Sequence, residues 1–125
     1  MINVAKAVIE RGNLILLIKR SSDSKFFPEQ WDFPGGKTKD DEKPSDSVIR
    51  ETEEETSLLV KVGKNVLEGD YEEQGVVIHY RIYLIPEYKG KVNLSKDHSE
   101  FKWVPRDRME NYSITPFVRR FFENS

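Results

Sequence analysis

One stretch, Pro44 to Thr56, holds no glycine and no proline beyond its first position, and it follows a hard break at Pro34-Gly35-Gly36. A proline suits the first turn of a helix, where its missing N–H would go unused anyway. The stretch therefore reads as one helix, with Val48 and Ile49 as its inner face. What surrounds it reads as strand. Ile2 to Glu10 is rich in Val, Ala and Ile, Arg11-Gly12-Asn13 is a turn, and Leu14 to Lys19 is the hairpin partner. Ser21 to Gln30 is a polar loop, and Trp31-Asp32-Phe33 is a short extended piece stopped by Pro34 and the glycine pair. Leu58 to Val62 and Val66 to Tyr71 are further strands. Val76 to Ile85 is the strongest, with Val76, Ile78, Tyr80, Ile82 and Leu84 alternating against Val77, His79, Arg81 and Tyr83. Phe101 to Val104 is a short strand and Pro105 to Met109 a helical turn. Thr115 to Asn124 closes the chain as a helix, packing through Phe117, Val118, Phe121 and Phe122. Strands around one central helix, with another at the end, predict a mixed sheet covered by helices.

At 125 residues the chain suits a single domain spanning residues 1–125, long enough for a core without disulfides. It has no cysteine, which rules out thiolate metal sites and cysteine nucleophiles and suits a reducing cytoplasm, the location expected. The longest apolar run, Leu14 to Ile18, is too short to span a bilayer, so no membrane partner is expected. A net charge of −2 argues against a stable nucleic-acid complex, which needs a basic face.

The acids are unevenly spread. Asp40, Asp41, Glu42, Asp46, Glu51, Glu53, Glu54 and Glu55 crowd one segment. On a helix Glu51, Glu54 and Glu55 fall at i, i+3 and i+4 and share a face, where like charges repel. A bound divalent cation turns that repulsion into ligation, and an all-oxygen set suits Mg²⁺, with Mn²⁺ as a substitute. The alternative is an ordinary solvated acidic face. Two neighbours favour the metal. Gly35-Gly36 allows backbone to approach an ion or phosphate closely, and Glu42 adds a carboxylate. Glu53 points elsewhere. Arg50 has Glu54 one turn on as a partner, or Glu42 if the loop folds back. Neither an EF-hand loop nor a Walker phosphate loop fits the spacing.

Gly36, five residues, Glu42, seven residues, then Arg50-Glu51-Thr52-Glu53-Glu54-Glu55-Thr56-Ser57-Leu58 resembles the Nudix box at every charged position. Thr52 stands where the family has an apolar residue. Ser57 replaces a glycine that usually supplies a left-handed helix cap. Trp31-Asp32-Phe33-Pro34-Gly35-Gly36-Lys37 resembles the family's usual approach to the box, and Phe101-Lys102-Trp103-Val104 after an acidic loop is also similar. The resemblance implies the α+β Nudix fold, a mixed β-sheet sandwiched between helices (α/β/α). It implies Mg²⁺-assisted attack of water on a diphosphate bond in a nucleoside diphosphate linked to another group. By position, Glu51, Glu54 and Glu55 would hold metal, with the Gly35 carbonyl as a further ligand. Glu51 or Glu54 would position or deprotonate water. Gly36, Glu42 and Arg50 would brace the motif. Lys37 and Arg20 would add positive charge at the diphosphate, unless they are ordinary surface cations. Asp97 would supply a carboxylate from outside the box, with His98 and Glu100 as competitors.

The small-molecule substrate is less sharply marked. The resemblance points to the nucleoside-triphosphate pyrophosphohydrolase branch, giving monophosphate and pyrophosphate. The base-reading asparagine of 8-oxo-dGTP enzymes falls at Ile114, which weakens that assignment, with Asn111 nearby as an alternative. Where ADP-ribose members carry a proline this chain has Glu72 to Gln74, and Tyr71 and Tyr80 only bracket the tyrosine of dinucleotide-cleaving members. Trp31, Phe26, Phe27 and Tyr83 are candidates to stack on a base, or else core. The alternatives are an ADP-ribose, nucleotide-sugar or dinucleotide pyrophosphatase, or a non-catalytic nucleotide-binding module. The sequence carries no signal of oligomeric state.

Overall fold

The structure is a computed structural model that describes residues 1–124. Its centre is strand β1 (Ile2–Arg11), because both of its edges are used. One edge runs parallel to β7 (Val76–Ile85), from Ile2 opposite Ile78 to Ile9 opposite Ile85. The other edge is shared. Val4 to Lys6 pair antiparallel with β4 (Gly35–Lys37), and Glu10 and Arg11 pair with β2 (Leu14–Arg20) across the turn at Gly12. β2 in turn holds β3 (Trp31–Asp32) and β9 (His98–Pro105), while β6 (Asn65–Glu73) covers the outer edge of β7. A separate two-stranded sheet joins β5 (Leu59–Lys61) to β8 (Glu87–Lys89).

Period-two alternation gives the central sheet two apolar faces, and each is covered by a helix. Val8, Ile15, Leu17, Ile78, Tyr80 and Ile82 pack with Phe117, Val118 and Phe121 of α2 (Pro116–Glu123). Ala5, Ala7, Ile9, Leu16, Ile18 and Tyr83 pack on the other side with Val48 of α1 (Pro44–Thr56) and with Leu58. The mixed sheet between helices expected from the sequence is the architecture found.

Several details differ from expectation. Ile49 is 37% exposed, so the inner face of α1 is Ser47, Val48, Thr52 and Thr56. These side chains are small, which lets the helix lie close to the sheet. β9 starts at His98 rather than Phe101, and β8 has no counterpart in the reading because Glu-Tyr-Lys lacks an apolar alternation. Ser57 does take the left-handed cap conformation, with φ 67° and ψ 11°, and its N–H donates to the Glu53 carbonyl. Its hydroxyl also donates to the Asn93 carbonyl at 3.0 Å, a bond no glycine could make.

Thr52 is fully buried, and its Oγ1 has no hydrogen-bond partner. An unpaired buried hydroxyl costs about 1–3 kcal/mol relative to a satisfied one. Thr52→Val keeps the branched shape and removes the orphan. Chemical denaturation should show a gain of about 1 kcal/mol, and a loss would mean that the hydroxyl has an acceptor.

Candidate active site

Ile2, Val4 and Lys6 lie along one face of β1, and the β4 backbone closes on its edge. Gly35 has φ 129°, and any Cβ there would run into the Ala5 carbonyl, so only glycine lets β4 dock. The result is a cleft of about 410 Å³. Ile2, Val4, Phe26, Phe27, Ile78 and Phe117 form its apolar part, and Lys37, Glu51, Glu55, Arg20, Asp97 and His98 its polar part. Trp31 and Tyr83, offered above as base-stacking residues, are core instead. Trp31 packs edge-on to Tyr112, and Tyr83 lies in the α1-side cluster.

Arg50 organises the acidic segment. Its Nε and Nη2 hold Glu42 at 2.8 and 2.9 Å, Nη1 reaches Glu51 at 3.0 Å and Glu54 at 3.3 Å, and Nη2 also donates to the Lys37 carbonyl at 3.1 Å. The loop does fold back, as the second of the two pairings requires, and both pairings occur. Hydrogen bonds from Arg50 and from the Lys39 N–H hold the Glu42 carboxyl down at about 2. Glu55 turns the other way and accepts from the Gly35 N–H at 2.7 Å. Burial pushes its carboxyl up to about 8, with the negative charges of Glu51 and Asp32 adding to the rise.

The proposed metal set is thus brought together only in part. Glu51 and Glu55 line the cleft, whereas Glu54 is exposed and held on Arg50. Among the described residues no three acidic or histidine side chains form a ready metal cluster. Arg50 and the Gly35 N–H hold the like charges apart. The donor chemistry still fits a hard cation. The site consists of carboxylate and backbone oxygens, and Gly36 approaches so closely that a Cβ would lie 2.6 Å from Glu51 Oε2.

Arg20 lines the cleft, with three of its five N–H donors engaged within the protein. Nη1 donates to Asp32 at 3.3 Å, Nε to the Phe26 carbonyl at 2.9 Å and Nη2 to Ser24 Oγ at 2.7 Å, which fixes the direction of the guanidinium. Lys37 is exposed at the rim. Asp97 is exposed and lines the cleft, while Glu100 sits outside it near Lys19. His98 is buried, and its Nδ1 has no partner. Burial, reinforced by the charge of Lys6, pushes the imidazole down to about 4, so it is neutral near pH 7.

The sequence reading missed the floor of this cleft. Lys6 Nζ donates to Asp32 Oδ2 at 2.9 Å and to the Gly35 carbonyl at 3.4 Å. Asp32 Oδ1 accepts from Thr115 Oγ1 at 2.9 Å and from the Phe33 N–H at 2.8 Å. Burial alone would raise the Asp32 carboxyl, but Lys6 and Arg20 outweigh it and hold it below the usual carboxylate range. One signal was available. Lys6 shares the inward parity of Val4 and Val8 and is the one charged residue in the run Val4 to Ile9.

The NUDIX domain profile matches residues 2–124. The chain belongs to the NUDIX family. It is a hydrolase of pyrophosphate bonds. Among NUDIX proteins, the CTP pyrophosphohydrolase of Escherichia coli (strain K12) is 31% identical over 119 residues, covering 93% of this chain and 84% of that protein. The 8-oxo-dGTP diphosphatase of Buchnera aphidicola subsp. Schizaphis graminum (strain Sg) is 27% identical over 112 residues, covering 90% and 83%. The crystal structure of a MutT protein from Methanosarcina mazei Go1 superposes with a TM-score of 0.90 at 28% identity, covering 98% of this chain and 91% of that one. NUDIX hydrolases generally use divalent metals.

The raised Glu55 carboxyl makes stability depend on pH. Its ordinary value is 4.5 and its folded value about 8. Between those values the folded state keeps a proton that the unfolded state has lost, so stability from this group falls as pH rises through the window. Glu55→Gln keeps an acceptor for the Gly35 N–H and removes the titration. In EDTA, the amount by which the variant's Tm exceeds that of the parent should widen from pH 5 to pH 8. A constant or narrowing difference would contradict the burial of this carboxyl.

Proposed function

We propose that the chain is a divalent-metal-dependent nucleoside triphosphate pyrophosphohydrolase that releases a nucleoside monophosphate and pyrophosphate. The observation that carries this reading is the single cleft in which an aromatic and aliphatic part adjoins Glu51, Glu55 and Lys37. A nucleotide has the same division, a flat weakly polar base joined to an anionic chain. The pyrophosphohydrolase and diphosphatase among the similar proteins support the same reaction class. Free nucleotides as substrates suit a cytoplasmic location.

Glu51, Glu54, Glu55 and the Gly35 carbonyl would hold Mg²⁺, with Mn²⁺ as a substitute. A bound divalent cation supplies charge neutralisation at the phosphoryl oxygens and acidifies water. Glu51 is the better candidate to orient or deprotonate the attacking water, because it lines the cleft and Glu54 does not. Lys37 offers charge to the phosphates from the rim. Asp97, just before β9, would add a carboxylate to the cleft from outside the helix. Gly36, Glu42 and Arg50 keep the loop and helix in register. Ile114, where the resemblance places the base-reading asparagine, is buried and apolar.

Purified protein with Mg²⁺ should convert nucleoside triphosphates to monophosphate and pyrophosphate with a higher kcat/KM than for ADP-ribose, and EDTA should abolish turnover. A higher kcat/KM for ADP-ribose would replace this reading with the nucleotide-sugar one. Full activity without metal would end it.

Glu54→Gln should lower kcat about a hundredfold, the size of losing one major electrostatic or proton-transfer element. Asp97→Asn should lower it about tenfold with little change in stability, as expected of an exposed loop residue. Steady-state kinetics alongside thermal melts decide both. Normal rates for Asp97→Asn with a collapse in Glu100→Gln would transfer the role to Glu100.

A further inference from the structure

Lys6 is only 3% exposed, yet it lines the cleft. An ammonium carries three donors. Asp32 Oδ2 and the Gly35 carbonyl take two of them, at 2.9 and 3.4 Å. Among the described residues no protein acceptor takes the third. Asp32 is itself fully engaged by Lys6, Arg20, Thr115 and the Phe33 N–H, so it holds the ammonium in place and cannot turn to a ligand. On one side of this donor the cleft is apolar, with Val4, Ile78 and the Phe117 ring, whose centroid lies 5.4 Å from Nζ; Glu55 and His98 are on its polar side, near enough to feel the lysine charge.

We propose that Lys6 is a specificity-determining residue that donates a hydrogen bond to a carbonyl oxygen on the nucleobase. The inference rests on the nucleotide reading above and deepens it. A flat base suits the walls beside Lys6, which leaves its edge to meet Nζ. Asp32 balances the lysine charge, so what Lys6 presents is a directed N–H more than a net positive field. The anionic part of the substrate has Lys37 and the carboxylate-bound cation instead. A base that offers an amino group at this point sets donor against donor and leaves both unpaired in a buried place, which is the strong form of discrimination. Adenine has no carbonyl. Cytosine and guanine each have one, and uracil has two.

The test is calorimetric titration of the full chain with CMP, UMP, GMP and AMP in EDTA, which reads binding apart from hydrolysis. The variants are Lys6→Met and the double variant Lys6→Met/Asp32→Asn, which removes both buried charges together and so covers unfolding of the single variant. The parent should bind at least one keto-base monophosphate about tenfold or more tightly than AMP, the scale of one charge-assisted hydrogen bond. Both variants should lose that preference while AMP binding changes little. Equal losses for every nucleotide, an unchanged preference, or no monophosphate binding by the parent would overturn the inference. A lost preference in the variants of a protein that hydrolyses no nucleoside triphosphate would sustain the role of Lys6 and overturn only the proposed reaction.

Discussion

The guanidinium of Arg50 is the tie on which the acidic segment depends. Its planar fork meets Glu42 at two points and reaches Glu51, Glu54 and the Lys37 carbonyl as well. A lysine could not do this, because a point charge on a flexible stem lacks the fixed fork. Without that tie, the charged loop between β4 and α1 would have little to hold it, since its side chains are mostly solvated. With it, the glycine pair at one end of the loop and the carboxylates of α1 at the other are kept side by side. The close approach of Gly36 to Glu51 follows from this register.

The cleft floor uses charge differently. Lys6 and Asp32 sit inside the sheet–helix core, where removing ions from water is expensive, and their attraction offsets that cost only because further bonds to Gly35, Thr115, Arg20 and Phe33 satisfy what remains. Two methionine-like side chains would pack there as well. A polar floor at that cost makes sense in a binding site, where it presents a donor of fixed direction to an otherwise apolar cleft. Thr115 brings the residue just before α2 into the same network, so the closing helix and the cleft floor are coupled.

Much of this was legible beforehand, for identifiable reasons. The helix from Pro44 to Thr56 is bounded by breakers, so its extent could be read directly, while of the three glutamates spaced to share a face only Glu51 and Glu55 line the cleft. The long alternation of β7 and the hairpin of β1 and β2 are equally local signals. What escaped depends on contacts between distant segments. Lys6 meets Asp32 across 26 positions and Thr115 meets Asp32 across 83, and neither pairing leaves a local pattern. The bonds of Arg20 to Phe26 and Ser24 were not legible, because those residues lie in a loop whose fold only the tertiary structure sets. Ile49 looked internal because hydrophobicity alone cannot say which flank of a helix the sheet will touch.

The central claim is that the carboxylate face of α1 and the glycine pair of β4 together bind a divalent cation beside the cleft. Paramagnetic broadening of amide NMR signals by substoichiometric Mn²⁺ tests it directly. The backbone amides of Gly35, Gly36, Lys37, Glu51 and Glu55 should broaden first and together. Broadening centred instead on Glu68, Asp70 and His79, where two carboxylates flank an imidazole, would contradict the account.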